Sequence, residues 1–464
     1  MRGEDRAEIL ALTRGFLSGE TSAARFAASA QSVCARALGA HGSDEAERAA
    51  LDALYDVASR HRARLADPST HVFATDGEVE TVARRTLDVL GASSPEPAAP
   101  PAAPGAAPVP GVRPGGRITI DPAAVVRNFR TLARLSRGAC GAVVKADAYG
   151  LGIGTMAPAL ARGGCGTFFV ALPQEGLALR ALLPDAVVYV LGGTFGDPRP
   201  LLEARLRPFL SSLEALAEWP LEAPFALNVD TGMNRLGIHV AEAAEAARFL
   251  AGRGARPALV ASHFACADVP GRPENAAQER AFARALAAFP DIPASFANSA
   301  ALLTRPSAHF ALTRPGIALY GGTAVAASPP LEPAVRLEAR VIEVRQARAG
   351  EAVGYRAAER LARPSRLAVA AVGYADGYLR AAGGSGAAGG APAFVNGVLT
   401  RLVGRVSMDV VTVDVTDAPC RRGDWVELFG PNVPLEQVAR KAGTIGYELL
   451  TGLSRRAERR VGPL

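Results

Sequence analysis

The sequence predicts an α/β protein: a closed (β/α)8 barrel over residues 117–334, then a mostly β domain over 335–464, with an extra helical domain at the N-terminus. Three observations predict it. First, short apolar runs (GAVV at 141–144, FFVAL at 168–172, VVYVL at 187–191, FALNV at 225–229, ALVAS at 258–262, SFANS at 295–299) alternate with Ala/Leu-rich helical patterns such as VAEAAEAARFLAGRG. That alternation is the pattern of a parallel barrel. Second, from about residue 335 the period changes to strand-like alternation in VRLEARVIEVRQ, RLAVAAVGY, FVNGVLTRLVGRVSM, VTVDV and DWVELFG. Third, residues 93–116 form the Pro/Ala/Gly tract SSPEPAAPPAAPGAAPVPGVRPGG, which has too little apolar bulk for a core and reads as an extended linker. Ahead of it, residues 1–92 carry Leu51, Leu54 and Tyr55, then Val79, Val82, Leu87 and Leu90, at helical spacing.

Composition narrows the function classes. Hydrophobic residues make 49% of 464 and charged residues 21%, as in a globular chain. The net charge of +6 is spread thinly: 11 basic and 14 acidic residues lie through position 95, against 40 and 31 in the remainder. No basic run suggests a nucleic-acid partner. No uncharged apolar stretch reaches the ~18 residues of a bilayer span, and MRGEDRAEIL lacks the basic-then-apolar order of a signal peptide, so a cytoplasmic location is expected. Cys34, Cys140, Cys165, Cys266 and Cys420 are odd in number and scattered, which argues against a disulfide framework and a zinc site. The Gly/Ala tract at 381–392 lacks the GxxxxGK[ST] pattern of a phosphate loop and reads as a spacer.

Lysine usage is sharper. Of 51 basic residues 49 are Arg, and Lys occurs only at Lys145 and Lys441. A chain that uses Arg for generic positive charge keeps Lys where a primary amine is needed, because Arg cannot be deprotonated to a nucleophile. Lys145 follows an apolar strand in AVVKADAYGLG, where the barrel mouth begins. Desolvation there lowers an amine's pKa and frees its lone pair. Arg235, His263, Asn298 and Ser299 follow other apolar runs and fall on the same face, whereas Lys441 lies in a helical run and reads as a solvated surface charge.

AVVKADAYGLG closely resembles the lysine motif of the alanine racemases, pyridoxal-phosphate enzymes built from a barrel and a β domain. DTGMNRLGI, SHFACAD, NSAA, RPGIALYG, GYADGY, GRVSMD and TIGYELLT follow in the family's order, so the resemblance spans about 140–452. It implies that Lys145 holds pyridoxal 5'-phosphate as a Schiff base and serves as one catalytic base. Tyr149, Ser299, the backbone N–H groups of Gly316 and Ile317, and the Tyr447 hydroxyl match the family's phosphate cradle. Arg314 matches the Arg that meets the pyridine nitrogen; a guanidinium does not hand over its proton, so the ring stays a weak electron sink and Cα is reprotonated.

Racemisation needs a second base on the opposite face of Cα. Tyr355 matches it and, by analogy, comes from the partner subunit of a homodimer, although Gly354 stands where Ser is common and Arg356 where Gly is. The resemblance further implies that Met408 presents its backbone N–H to the substrate carboxylate across the interface. Tyr374 resembles a gate that keeps the pocket small, Asp409 and Asp268 line the approach, and His263, beside Arg235, bonds the tyrosine base. Asn228 replaces a lysine that many relatives carbamylate to brace the neighbouring Arg, leaving Arg235 to be positioned by Asn228 itself, a water or an anion.

Interconversion of L- and D-alanine is thus expected. The rival readings are a racemase of another small amino acid such as serine, a decarboxylase of the same cofactor-fold type, and a non-catalytic pyridoxal-phosphate-binding protein. Arg314 speaks against the decarboxylase, and a full β domain carrying Tyr355 and Met408 against the binder. Residues 1–116 lie outside the resemblance. A chain beginning near residue 112 is therefore expected to fold, bind cofactor and racemise alanine at near-native rates. Loss of soluble protein on that truncation, measured by size-exclusion chromatography, would contradict it.

Overall fold

A computed structural model describes residues 113–464 except 326–328 and 385–388, together with 3–18, 20–38, 50–55, 57–58 and positions 79, 82, 83, 86 and 90. The chain divides into two units, Met1–Pro104 and Gly105–Leu464. In the first, helices Gly3–Leu17 and Ala23–Leu38 bury Ile9, Phe26, Ala30 and Val33 in one cluster with Leu51, Leu54, Val79 and Leu90. Phe16 stacks on Phe26 at 4.6 Å. The expected Leu87, and residues 93–112 of the expected linker, lie outside the described residues.

The second unit opens with β1 (Gly116–Ile120) and helix Pro122–Leu135. Asp121 caps that helix by accepting from the Ala123 and Ala124 N–H groups, Pro122 supplies a ready-set first turn, and Val125, Phe129 and Leu132 form its buried face. The parallel strands follow: β2 (Ala139–Cys140), β3 (Ala142–Val143), β4 (Thr167–Val170), β5 (Val187–Val190), β6 (Leu206–Leu210), β7 (Ala226–Asp230), β8 (Ile238–His239), β9 (Leu259–Ala261), β10 (Ala294–Ser295) and β11 (Leu312–Thr313). One ladder runs β3-β4-β5-β6-β7-β9-β10, with β8 pairing only β7.

The ladder closes on itself. Ala311 and Arg314 N–H donate to Ala294 and Ala297 C=O, β11 pairs β2, and Gly141 and Val143 N–H donate to Thr313 and Pro315 C=O. With β2 and β3 as one interrupted strand and β8 an appendage, the barrel has eight staves. Its interior is close-packed: Phe169 stacks on Tyr189 at 5.2 Å, Tyr189 meets Phe209 edge-on at 5.8 Å, and Phe264 stacks on Phe296 at 3.8 Å. Two staves were not among the apolar runs: β6 is interrupted by Arg207 and Pro208, and β11 has only two residues.

The β domain comprises β12 (Val335–Ala347), β13 (Ala352–Val353), β14 (Glu359–Arg360), β15 (Ser365–Ala370), β16 (Pro392–Val395), β17 (Val398–Arg401), β18 (Val411–Asp414), β19 (Trp425–Phe429) and β20 (Glu458–Val461). β16 and β17 form a hairpin across Asn396 and Gly397, both at positive φ, as a tight two-residue turn demands. β1, within the segment read as barrel, instead joins this sheet, antiparallel to β12 and parallel to β20. The chain thus starts in the β domain, makes the whole barrel and returns, so the two halves share one core.

Replacing Phe296, fully buried between Phe264 and Phe282, by Ala is expected to cost about 3–5 kcal/mol. Urea unfolding followed by circular dichroism measures it.

Candidate active site

A cavity of about 480 Å³ opens at the C-terminal ends of the barrel strands. Lys145, Tyr149, Asn228, Arg235, His263 and Asn298 line it, as do Ser299, Arg314, Gly316 and Tyr447. Ten sequence-predicted positions, from all along the barrel and one from the β domain, thus meet in one space.

Lys145 leaves β3 through an uncommon backbone. Ala146, Asp147, Ala148 and Tyr149 all have φ between 52° and 58°, a left-handed turn that Gly150 closes at φ 79°. Each non-glycine residue there costs roughly 1–2 kcal/mol, so surrounding contacts must hold it. Glu175 Oε1 accepts the Ala146 N–H at 2.6 Å, while its Oε2 accepts Ala171 and Leu172 N–H at 2.7 and 3.1 Å. Asp147 Oδ1 accepts the Ile153 N–H at 2.7 Å, and Arg459 Nη1 donates to Gly150 O at 2.7 Å. The turn returns the chain so that Lys145 and Tyr149 both reach the cavity. Burial, and then the Arg235 charge, hold the Lys145 amine below its ordinary pKa against an opposing pull from Glu175.

Gly316 faces Tyr149. A Cβ at 316 would stand 2.2 Å from the Tyr149 hydroxyl, so only glycine lets that phenol approach the backbone. Buried Ser299 accepts the Gly316 N–H at 2.8 Å and the Ala318 N–H at 3.4 Å. Ile317, buried behind Gly316, opens the short helix Ile317–Tyr320. Tyr447 meets Tyr149 at 5.8 Å, and burial pushes its phenol up to about 12. Tyr149 is likewise raised by burial. Both stay protonated and able to donate. Asn298 accepts the Ala301 N–H at 3.0 Å and so sets the start of helix Ser299–Thr304.

Arg314, 4% exposed, donates to Ser295 Oγ and to Ser262 O, each at 2.5 Å, and lies 6.0 Å from the Phe169 ring centre. Its Nη2 is 3.5 Å from His263 Nδ1, which makes that nitrogen the acceptor. Burial first, then Arg314, Arg235 and Lys145, push the His263 imidazole down to about 3, so it is neutral. His263 feels the Arg235 charge, in keeping with its expected place beside that residue, and it also bonds Arg314. Asn228 Nδ2 donates to Ser211 Oγ at 3.1 Å, tying β7 to the end of β6 rather than bracing Arg235.

Tyr355, Tyr374, Met408 and Asp409 lie outside the cavity. The first three are 65%, 42% and 53% exposed. They follow one stretch of backbone: Gly404 packs against Val353 just before the Tyr355 turn, while Tyr374 and Ala375 N–H donate to Ser407 and Met408 O. Asp409 pairs with Arg456 at 2.8 Å, and Asp268 is exposed on the loop after β9. Glu175 and Arg459 were not singled out in the sequence, where each is one among many like charges.

A small anion carrying a carbonyl suits such a cavity: an amine able to lose its proton, hydroxyl donors beside a glycine, and fixed guanidinium charge converge there. Fold and cavity define a barrel protein with an amine at its mouth and a β domain carried on the same core. Family models agree: alanine racemase, N-terminal domain, matches residues 120–324, and alanine racemase, C-terminal domain, residues 334–461. The chain is 47% identical over 366 residues to the biosynthetic alanine racemase of Agrobacterium fabrum, covering 74% of this chain and 93% of that protein. It is 45% identical to the alanine racemase of Rhizobium meliloti, covering 74% and 96%. The crystal structure of alanine racemase from Bartonella henselae with covalently bound pyridoxal phosphate superposes with a TM-score of 0.70 at 38% identity, over 75% of this chain and 100% of that one. The chain belongs to the alanine racemase family. No helix among the described residues is long and apolar enough to cross a membrane.

The depressed His263 pKa has a definite sign in stability. Between about pH 6.5 and 3 the unfolded chain takes a proton that folded His263 refuses, so stability falls with pH by at most about 1.4 kcal/mol per unit from this group. Urea midpoints of wild type and His263→Gln, compared at pH 7 and 5, are expected to show a shallower pH slope in the variant.

Proposed function

We propose that this chain interconverts L-alanine and D-alanine with pyridoxal 5'-phosphate as cofactor, and that Lys145 and Tyr355 are the two groups that move the Cα proton. The observation that carries the reading is Lys145: one of two lysines in the chain, at the barrel mouth, with its amine pKa lowered.

The residues fit the cofactor. Because Gly316 has no Cβ, the Tyr149 hydroxyl reaches the backbone there and stands as a donor for phosphate oxygens, with the Ser299 and Tyr447 hydroxyls and the Ile317 N–H as further donors. Lys145 would hold the cofactor's carbonyl carbon and Arg314 its ring nitrogen. Arg314 pKa falls to about 10 on burial, still well above neutrality, so it offers hydrogen bonds without giving up a proton. Bound pyridoxal phosphate supplies an electron sink that makes the Cα proton removable.

Lys145 Nζ takes or returns that proton on one face; burial, and then the Arg235 charge, keep enough of the amine neutral for it to accept. Tyr355 Oη serves the other face. Its exposure, with that of Met408 and Tyr374, supports a homodimer in which these residues reach the cavity of a second copy. There the Met408 N–H would receive the substrate carboxylate, Arg235 would sit beside the Tyr355 oxygen, and Tyr374 would limit substrate size, with Asp409 and Asp268 flanking the approach. Neutral His263 holds Arg314 instead of competing as an acid. The same reading makes the enzyme cytoplasmic, supplying D-alanine to cell-wall precursors, in keeping with a biosynthetic relative at 47% identity.

Purified protein supplied with cofactor is expected to form D-alanine from L-alanine in a D-amino-acid-oxidase-coupled assay; none formed would overturn the reading. Tyr355→Phe is expected to load cofactor normally yet racemise about 100-fold more slowly, the scale of a lost acid–base group. Hydrogen exchange at Cα in deuterated water should survive better from D-alanine than from L-alanine. Equal losses from both enantiomers would contradict this assignment of faces.

A further inference from the structure

The left-handed turn after Lys145 is held at both ends by residues outside it, and these come from different parts of the unit. At its start, Glu175 lies in the first turn of helix Pro173–Leu182; one carboxylate oxygen takes the Ala146 N–H and the other takes two N–H groups at the end of β4. At its end, Arg459 of β20 donates to the carbonyl of Gly150 at 2.7 Å and to that of Leu453 at 3.4 Å. We propose that Glu175 and Arg459 are positioning residues for the reaction: acting together through this turn, they set the separation of the Lys145 amine from the Tyr149 hydroxyl and the Gly316 backbone.

The contacts are costly unless they do such a task. Arg459 is half-buried and among the described residues forms no ion pair; its guanidinium bonds backbone carbonyls, and loss of water lowers its pKa. A guanidinium drawn from water onto neutral acceptors is seldom left so without a constraint to maintain. Gly150 shows what the constraint is. A Cβ there would come 2.6 Å from Leu450 O, so the turn is pressed against helix Gly446–Thr451, which also presents Tyr447 to the cavity. Arg459 thus locks the turn to the element carrying Tyr447, while Glu175 locks it to β4 and Phe169 below Arg314. Remove either clamp and four non-glycine residues are free to leave a backbone region they disfavour. Lys145 and Tyr149, at the two ends of the same turn, then lose their fixed spacing.

The inference rests on the proposed role of Lys145, and the test separates the two. Full-length protein is prepared as wild type, Lys145→Ala, Arg459→Gln, Arg459→Lys, Glu175→Gln and the double variant Arg459→Gln/Glu175→Gln. Pyridoxal 5'-phosphate affinity is read by absorbance titration, alongside kcat, KM for L-alanine at saturating cofactor, and the thermal midpoint without cofactor. Arg459→Gln and Glu175→Gln are each expected to weaken cofactor binding about tenfold or more, the scale of one hydrogen bond to a charged group, and to lower kcat with little change in KM. Arg459→Lys, which keeps one donor for Gly150, should recover most of the affinity. Because both residues act on one turn, the double variant should lose no more than about the larger single loss. Losses that multiply, or unchanged affinity with a lowered thermal midpoint, would reduce the two residues to separate structural braces and overturn the proposal. Failure of wild type to bind cofactor, or Lys145→Ala binding it as wild type does, would refute the role of Lys145 instead.

Discussion

The seam that closes the barrel is the constraint on which the site depends. β11 has two residues and β2 two, yet the hydrogen bonds from Gly141 to Thr313 and from Val143 to Pro315 carry the register past both strands to the mouth. Lys145 stands two residues beyond one side of that seam, and Arg314 and Gly316 stand on the other. A one-residue slip would turn every side chain of one strand to the other face. Arg314 would then lose Ser295, Ser262 and His263 together, and Gly316 would no longer face Tyr149. Side-chain bonds reinforce the register: Ser295 Oγ donates to Leu312 O and ties β11 to β10, while Tyr320 Oη donates to Val143 O across the seam.

The β domain is the second half of the same constraint. Its first strand precedes the barrel in sequence and its last follows everything else, and β1 lies between β12 and β20. The barrel is therefore flanked at both chain ends by strands of one sheet. Arg459 on the closing strand and Tyr447 on the preceding helix then touch the turn behind Lys145 directly. This gives a physical reason for a β domain to accompany the barrel even before any second copy is considered: part of the lysine's own surroundings is folded from it.

Legibility in the sequence followed chemistry more than geometry. Lys145 stood out because the chain holds only two lysines, and the alternation of six apolar runs with helical patterns was enough to infer a barrel although β6 and β11 went unseen. Pro208 and Arg207 broke the apolar pattern of β6, and two residues are too few to show a period. Glu175 and Arg459 carried no comparable signal, since their importance comes from where the fold brings backbone N–H and C=O groups. The left-handed turn was equally hidden: Ala, Asp and Ala are ordinary residues, and nothing local requires positive φ from them. β1 was legible as a strand start but not as a sheet partner, because pairing across more than 200 residues leaves no local trace.

Charge explains why the mouth suits one kind of ligand. Burial first, and then the Arg314, Arg235 and Lys145 charges, deny His263 a proton. Glu175 opposes burial and the Arg235 charge at Lys145, but both its oxygens are already engaged by backbone N–H groups. A cavity arranged this way has positive potential in excess of its own acids, and raised phenol pKa values at Tyr149 and Tyr447 keep those hydroxyls as donors rather than anions. In the proposed reaction, a phosphate at one end and a carboxylate at the other would answer that excess without a buried protein acid. Such an acid beside Arg314 would neutralise the guanidinium and raise the proton affinity of any ring nitrogen placed against it. Arg314 instead keeps neutral partners, Ser295, Ser262 O and an imidazole unable to protonate, so its charge is directed undiminished at the cavity.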